Sequence, residues 1–459
     1  MLLTSAGSRA LRETAFRSKN FLSSTSNPFV CPFCLSQPQN VPHKRPITYS
    51  RRRDSAWAAA VSKLQNTVSE ILPASSTHSS VTIDPLRIVG NELKFLSKNI
   101  RQLLGSGHPI LDTVAKYYTQ SEGKHVRPLL VLLMSRATAN TAKQPRHSQL
   151  ELSQSAINTP ISSPAVLYDN NPDQIASPLI DANDSKYAFA GDASILPAQR
   201  RLAEITELIH TASLLHDDVI DLSETRRGEP SANTTFGNKM AVLAGDFLLG
   251  RASVALARLR DPEVIELLAT VIANLVEGEF MQLKNTAMDE KNPRWSEDTI
   301  SYYLQKTYLK SASLISKSCR AAALLGECSP SVVEAAYSYG RNLGLAFQLV
   351  DDMLDYTISG AELGKPSGAD LELGLATAPL LFAWRSRPEL GKLVGRRFAE
   401  EGDVQQARDI VLQSDGLEQT RALAQEYCEK AISAIQILPA GEAREGLEDM
   451  CTKVMKRRK

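Results

Sequence analysis

At 459 residues the chain has room for two to four domains at roughly 100 to 200 residues each, or for one large helical domain with appendages. Its 52 Lys and Arg against 51 Asp and Glu leave a formal net charge of +1, which excludes a protein whose main task is gripping nucleic acid backbone. Hydrophobic residues make up 43%, and no run approaches the roughly 18 apolar residues a spanning helix needs, so a transmembrane protein is not expected. Cys31, Cys34, Cys319, Cys328, Cys428 and Cys451 are too few and too scattered for a disulfide scaffold and fit a reducing compartment. Cys31 and Cys34 form a CxxC, but no second CxxC or HxxxH follows to complete a zinc site.

The first 53 residues hold nine Lys or Arg and a single acid, Glu13, among many serines and threonines. That is the composition of a mitochondrial or plastid transit peptide, with Leu2 to Phe21 able to form a basic amphipathic helix. The alternative is a basic arm retained to bind something acidic. Residues 54–83 read as a linker, and folded sequence begins near Asp84-Pro85, where Asp can cap a helix whose first turn accepts Pro. Residues 139–194 show neither helical nor strand period and read as a long, weakly structured insertion between two pieces that touch in space.

Elsewhere the pattern is helical. Leu202, Ile205, Leu208, Ile209, Ala212, Leu215 and Val219 recur at three- and four-residue steps, as do Val264, Leu267, Leu268, Val271, Leu275 and Phe280, so both stretches predict long buried helices. No Asn-Gly type hairpin signal appears, and Gly326 and Pro330 fall at plausible helix ends. The predicted fold class is all-α.

The chemistry concentrates in Asp217-Asp218-Val219-Ile220-Asp221. On a helix Asp217 and Asp221 stack at i and i+4, with Asp218 about 100° around. Carboxylates so crowded on an apolar helix repel one another unless something positive sits between them. Mg²⁺ is the natural candidate, because it takes oxygen ligands through one or two carboxylates, waters and substrate phosphates. The same spacing recurs in Asp351-Asp352-Met353-Leu354-Asp355. Two such clusters would be costly to bury for structure alone, but facing each other across a cavity they could hold several Mg²⁺ and one diphosphate. Lys124 and Arg127, Arg226 and Arg227, Lys310 and Lys365 supply cations suited to diphosphate oxygens.

The set GKHVRP, LIHTASLLHDDVIDLSETRRG, KSASLI, FQLVDDMLD and GKPSGADLELGLATAP resembles the trans-prenyltransferases, most closely the mitochondrial long-chain polyprenyl diphosphate synthases. The resemblance runs from about Asp84 to the C-terminus, apart from the insertion. It implies antiparallel helices around a deep central cavity, and repeated addition of isopentenyl diphosphate to an allylic diphosphate such as farnesyl or geranylgeranyl diphosphate. It implies that Asp217, Asp218, Asp221, Asp351, Asp352 and Asp355 bind Mg²⁺ and the allylic diphosphate. Arg226, Lys310, Ser311, Gln348 and Lys365 would touch that diphosphate, while Lys124, Arg127, His210 and Arg227 would hold isopentenyl diphosphate. His210 lies two turns before Asp217, consistent with lining the same cavity.

Two departures from the family pattern stand out. Ser311 replaces a usual Thr and keeps the hydroxyl, and Leu375 stands where short-chain members place a second lysine. Lys306-Thr307, four residues before Lys310, reads as a decoy of the Lys-Thr motif.

The chemistry expected is ionisation of the allylic C–O bond, attack by the isopentenyl double bond and loss of a proton, in a cavity that excludes water. Ala212 and Ser213 lie about one turn, roughly 5.4 Å, below the first aspartates, and their small size fits a long product. The competing readings are a short-chain farnesyl or geranylgeranyl synthase, a terpene cyclase, and a non-catalytic subunit of a heteromeric synthase. The resemblance further implies the ubiquinone side chain as product, peripheral association with the inner membrane, and a homodimer or a heteromer with a related subunit.

Overall fold

The computed structural model describes residues 84–104, 108–120, 125–144, 194–226, 228–285, 293–357 and 368–457. All of them belong to the compact unit Ser80–Lys459; Met1–Ser79, which holds the predicted transit peptide, lies outside the described residues.

The chain opens with α1 (Pro85–Ile88), whose cap is Asp84 accepting from Leu86 N at 3.2 Å, then α2 (Gly90–Leu103) and α3 (Pro109–Gln120). Next come α4 (Val126–Ala137) and α5 (Pro197–Ile220), which pack together across the long intervening segment. Of that segment, 145–193 lies outside the described residues. Its start, Ala139–Gln144, is tied down: Lys143 bridges to Cys328 and Gln144 N donates to Glu327 O at 2.8 Å.

A two-residue antiparallel hairpin follows, β1 (Thr225–Arg226) on β2 (Glu229–Pro230), with Arg226 opposite Glu229. The sequence carried no Asn-Gly signal for it; Gly228, at φ 80°, supplies the left-handed backbone the turn needs.

After α6 (Ala232–Phe236), α7 (Asn238–Arg258) and α8 (Pro262–Asn285) form the next pair, with α7 laid along α5. Helix α7 is long and apolar enough to cross a bilayer by length and composition, yet Ala241, Ala244, Leu248 and Ala252 are fully buried in the core. Its closeness to α5 depends on Gly245, where a Cβ would stand 2.2 Å from His216 Nε2.

Helix α9 (Glu297–Thr307), capped at Ser296, runs into a π-turn (Tyr308–Ala312) and then α10 (Ser313–Leu325). Helix α11 (Pro330–Thr357) crosses this segment. The remainder is α12 (Ala369–Glu372), α13 (Ala378–Ser386), α14 (Leu390–Gly395), α15 (Asp403–Leu412), α16 (Gly416–Ala434) and α17 (Glu442–Met455). The architecture is all-α, as the periodicity predicts.

The predicted apolar positions Leu202, Ile205, Leu208, Ile209, Ala212 and Leu215 are fully buried along α5, as are Val264, Leu268 and Val271 on α8. Phe280 departs from that reading, being 69% exposed: among the described residues nothing covers the α8 face that carries it.

Candidate active site

The first cluster sits where α5 ends. Asp217 and Asp218 occupy its last turn and Asp221 is its C-cap, with Asp221 N bonded to Asp217 O at 2.8 Å. A helix C-terminus carries the negative end of the dipole, so three acids there are doubly unfavourable without cations. Those cations are present. Arg226 on the hairpin grips the fully buried Asp218, its Nε 2.9 Å from both carboxylate oxygens, and Tyr118 Oη donates to the same group. Tyr118 Oη in turn accepts from Ala232 N at 2.9 Å, which fastens α3 and α6 to the end of α5.

Burial pushes the Asp217 carboxyl up to about 6, against the pull of Lys310 and with added repulsion from Glu279 and Asp221. Lys310 Nζ lies 2.5 Å from Glu279 Oε2. Burial lowers the Lys310 pKa, but Asp217, Glu279 and Asp221 outweigh it and the net shift is upward.

The π-turn is what aims Lys310. Two glycines clasp it: a Cβ on Gly278 of α8 would stand 2.9 Å from Lys310 N, and one on Gly344 of α11 would stand 2.7 Å from Ala312 Cα. Such π-bulges inside helices recur at functional sites.

The second cluster lies near the end of α11. Asp351 pairs with Arg457, two residues beyond α17, whose guanidinium also stacks 4.3 Å from the Phe347 ring centroid. Desolvation pushes Asp351 up to about 6, offset by Arg457, raised by Asp352 and lowered by Arg127, so the predicted isopentenyl site and this cluster share one electrostatic field.

Asp352 is 3% exposed; it accepts from Tyr303 Oη at 2.5 Å, Gln348 Nε2 at 2.8 Å and Ala378 N at 3.4 Å. Burial raises its pKa despite these donors. Ser311 Oγ donates to Gln348 Oε1 at 2.8 Å, so the two residues assigned to the diphosphate bond to each other and, through Gln348, to Asp352. Asp355 accepts from Ala369 N at 3.2 Å and Asp370 N at 3.3 Å, tying α11 to the start of α12.

Between α4 and α5, Arg127 Nη1 meets His210 Nε2 at 2.8 Å. Arginine only donates, so this ring nitrogen accepts and the His210 proton sits on Nδ1. Ala212 is fully buried, whereas Ser213 is half-buried and bonds back to His210 O at 2.9 Å. Lys124, Arg227 and Lys365 lie outside the described residues.

Several site residues escaped the sequence reading. Tyr118, Glu279, Tyr303 and Arg457 are remote in sequence from the motifs they serve, and no spacing rule connects them. Lys306, set aside as a decoy, is buried at 7% exposure. Burial lowers its pKa while Asp352 raises it, which sets it beside the second cluster.

Among the described residues no three His, Cys, Asp or Glu side chains converge as a ready-made metal cage. The donors nonetheless fit a hard divalent cation: they are oxygens, Asp218 and Asp352 are buried, and burial pushes Asp217 and Asp351 up to about 6, which nearby positive charge would reverse. A cation that takes one or two carboxylates and completes its shell with water and phosphate oxygens requires no closed cage.

Fold and site together define an all-α protein with two acidic clusters, near the ends of α5 and α11, each met by basic side chains. The chain matches the family described as Polyprenyl synthetase over residues 183–411. It is 68% identical over 413 residues, 89% of this chain and 90% of the relative, to "Probable hexaprenyl pyrophosphate synthase, mitochondrial" of Neurospora crassa. It is 48% identical over 372 residues, 81% of this chain and 91% of the relative, to "Decaprenyl-diphosphate synthase subunit 1" of Schizosaccharomyces pombe. Its fold is similar to the crystal structure of a polyprenyl synthase from Caulobacter crescentus complexed with calcium and isoprenyl diphosphate, with TM-score 0.65 and 30% identity over 84% of this chain and 100% of that one. The chain belongs to the polyprenyl synthetase family; it is a mitochondrial prenyltransferase.

Proposed function

We propose that this chain is a long-chain trans-polyprenyl diphosphate synthase, adding isopentenyl diphosphate repeatedly to farnesyl or geranylgeranyl diphosphate to make the side chain of ubiquinone. The observation that carries the reading is the pair of acidic clusters, each with one buried carboxylate, Asp218 and Asp352, with Lys310, Arg226 and Arg127 around them. The product length we assign is six isoprene units, the length in the name of the Neurospora relative.

Asp217, Asp218, Asp221, Asp351 and Asp352 would hold Mg²⁺, which supplies positive charge for a departing diphosphate. Asp355, already accepting two backbone N–H groups, steadies α12. Lys310 and Arg226 stabilise the same developing charge, so that the allylic C–O bond breaks with its electron pair leaving on diphosphate oxygen. Arg127 and His210 orient isopentenyl diphosphate, whose double bond attacks the allylic carbon. A proton then leaves the neighbouring carbon, and the released diphosphate accepts it. The apolar packing below α5 excludes water that would quench the cation.

Assembly with a second chain is part of the reading. Leu243 on α7 and Val276, Phe280 and Leu283 on α8 are about half exposed or more, and the α8 residues share one helix face. A second copy or a related subunit would cover them, and the name "subunit 1" borne by the fission yeast relative favours keeping a heteromer in view. A long apolar product makes peripheral contact with the inner membrane the natural place of release. The test is incorporation of labelled isopentenyl diphosphate with Mg²⁺: the wild type yields product, Asp217→Asn and Asp351→Asn lose it, and activity in both variants would overturn the reading.

A further inference from the structure

Helix α4 starts from a strained residue. His125 has φ 40°, a left-handed backbone that favours glycine and costs other residues roughly 1 to 2 kcal/mol. Such strain persists where surroundings over-determine it, often at ligand clamps.

The restraint is visible. His125 Nδ1 lies 3.0 Å from Glu207 Oε1, and since a carboxylate only accepts, the ring donates. Two residues on, Arg127 Nη1 meets His210 Nε2 at 2.8 Å. Glu207 and His210 are i and i+3 on α5 and share a face, so two parallel rungs fasten the start of α4 to α5. Glu207 keeps only 12% of its side chain exposed.

We propose that Glu207 is a positioning residue for the isopentenyl diphosphate subsite: through His125 it fixes the first turn of α4, so that Arg127 is delivered over His210. The proposal rests on the assignment of Arg127 and His210 to isopentenyl diphosphate made above. It is a claim about aim: Glu207 acts through His125, whose ring it meets at 3.0 Å. A misplaced clamp of this kind weakens use of one substrate and leaves the other alone.

The experiment is steady-state kinetics of the full chain, varying isopentenyl and allylic diphosphate separately. Glu207→Ala is expected to raise KM for isopentenyl diphosphate about tenfold, with KM for the allylic substrate and kcat within about twofold. Glu207→Gln still accepts from the ring and should stay within about threefold of wild type. In the Glu207→Ala background, His125→Gly relieves the left-handed strain and should recover part of the loss. If Glu207→Ala does not fold, His125→Ala reads the same rung from α4, with the same split expected. Arg127→Gln separates the two levels of the argument. If it raises KM for isopentenyl diphosphate and Glu207→Ala does not, the positioning role is wrong and the subsite stands; if neither does, the subsite assignment fails and the proposal with it. Equal rises in both KM values after Glu207→Ala, with a lower Tm, would also overturn the proposal.

Discussion

Arg457 and Asp351 stand 106 positions apart, yet the guanidinium closes an ion pair on the carboxylate while stacking 4.3 Å from the Phe347 ring centroid. Arg457, just beyond α17, therefore supplies countercharge to the second acidic cluster. A divalent ion entering there competes with Arg457. Arg457→Ala is predicted to lower the Mg²⁺ concentration for half-maximal activity about threefold, at a stability loss of about 0.5 to 1 kcal/mol for a partly exposed pair. Mg²⁺ titration of activity and thermal unfolding check both; an unchanged metal requirement would contradict the competition.

Asp217 and Asp351 give a signed pH dependence. Both carboxyls are pushed up to about 6 by burial, against an ordinary value of 3.8. Between those values the unfolded chain has lost protons that the folded chain keeps, so the metal-free protein loses stability as pH rises from about 4 to 6. Divalent cations need the ionised form, so the rise in Tm on adding Mg²⁺ should be larger near pH 7.5 than near pH 5. Equal rises at both pH values would contradict this account.

Lys310 is the cation held between Glu279 and Asp217. Removing it leaves both carboxylates facing each other and takes a donor from the departing diphosphate. Lys310→Ala should reduce kcat at saturating substrates and Mg²⁺ on the order of 100-fold. A reduction of less than about tenfold would remove Lys310 from the chemical step.

Ser213 and Ala212 are the positions we propose for control of chain length. Ser213 is half-buried one turn below Asp217 on the same face, whereas Ala212 is fully enclosed. Ser213→Phe should shorten the main product to about three or four isoprene units, because an aromatic ring fills a turn of cavity depth. Ala212→Phe should cost about 1 to 3 kcal/mol of stability through overpacking, in addition to any change of product. Chromatography of dephosphorylated products separates the two effects from unfolding.

What was legible in the sequence was whatever repeats locally. The three- and four-residue steps through Leu202 to Leu215 place α5, and Asp217 and Asp218 then follow at its end from spacing alone. Phe280 fits the same apolar steps yet faces outward, since periodicity marks an apolar face without saying what covers it. The hairpin that delivers Arg226 depends on a left-handed Gly228 and only four paired residues, too short for a strand pattern. Tyr118, Glu279, Tyr303 and Arg457 reach the acids by tertiary packing across long separations. The π-turn at Tyr308–Ala312 is set by two close glycines, Gly278 and Gly344, on other helices. That packing brings Lys306 to Asp352, where the spacing alone marks it as a misplaced copy of the Lys310 motif.

The central claim is that this chain builds a long polyprenyl diphosphate across its two acidic clusters. The most direct measurement incubates the purified full chain with farnesyl diphosphate, labelled isopentenyl diphosphate and Mg²⁺, and resolves the dephosphorylated products by length. The account predicts a ladder ending at six isoprene units, as in the name of the 68% identical relative. A ladder ending at three or four units, or no product from folded protein, would contradict it.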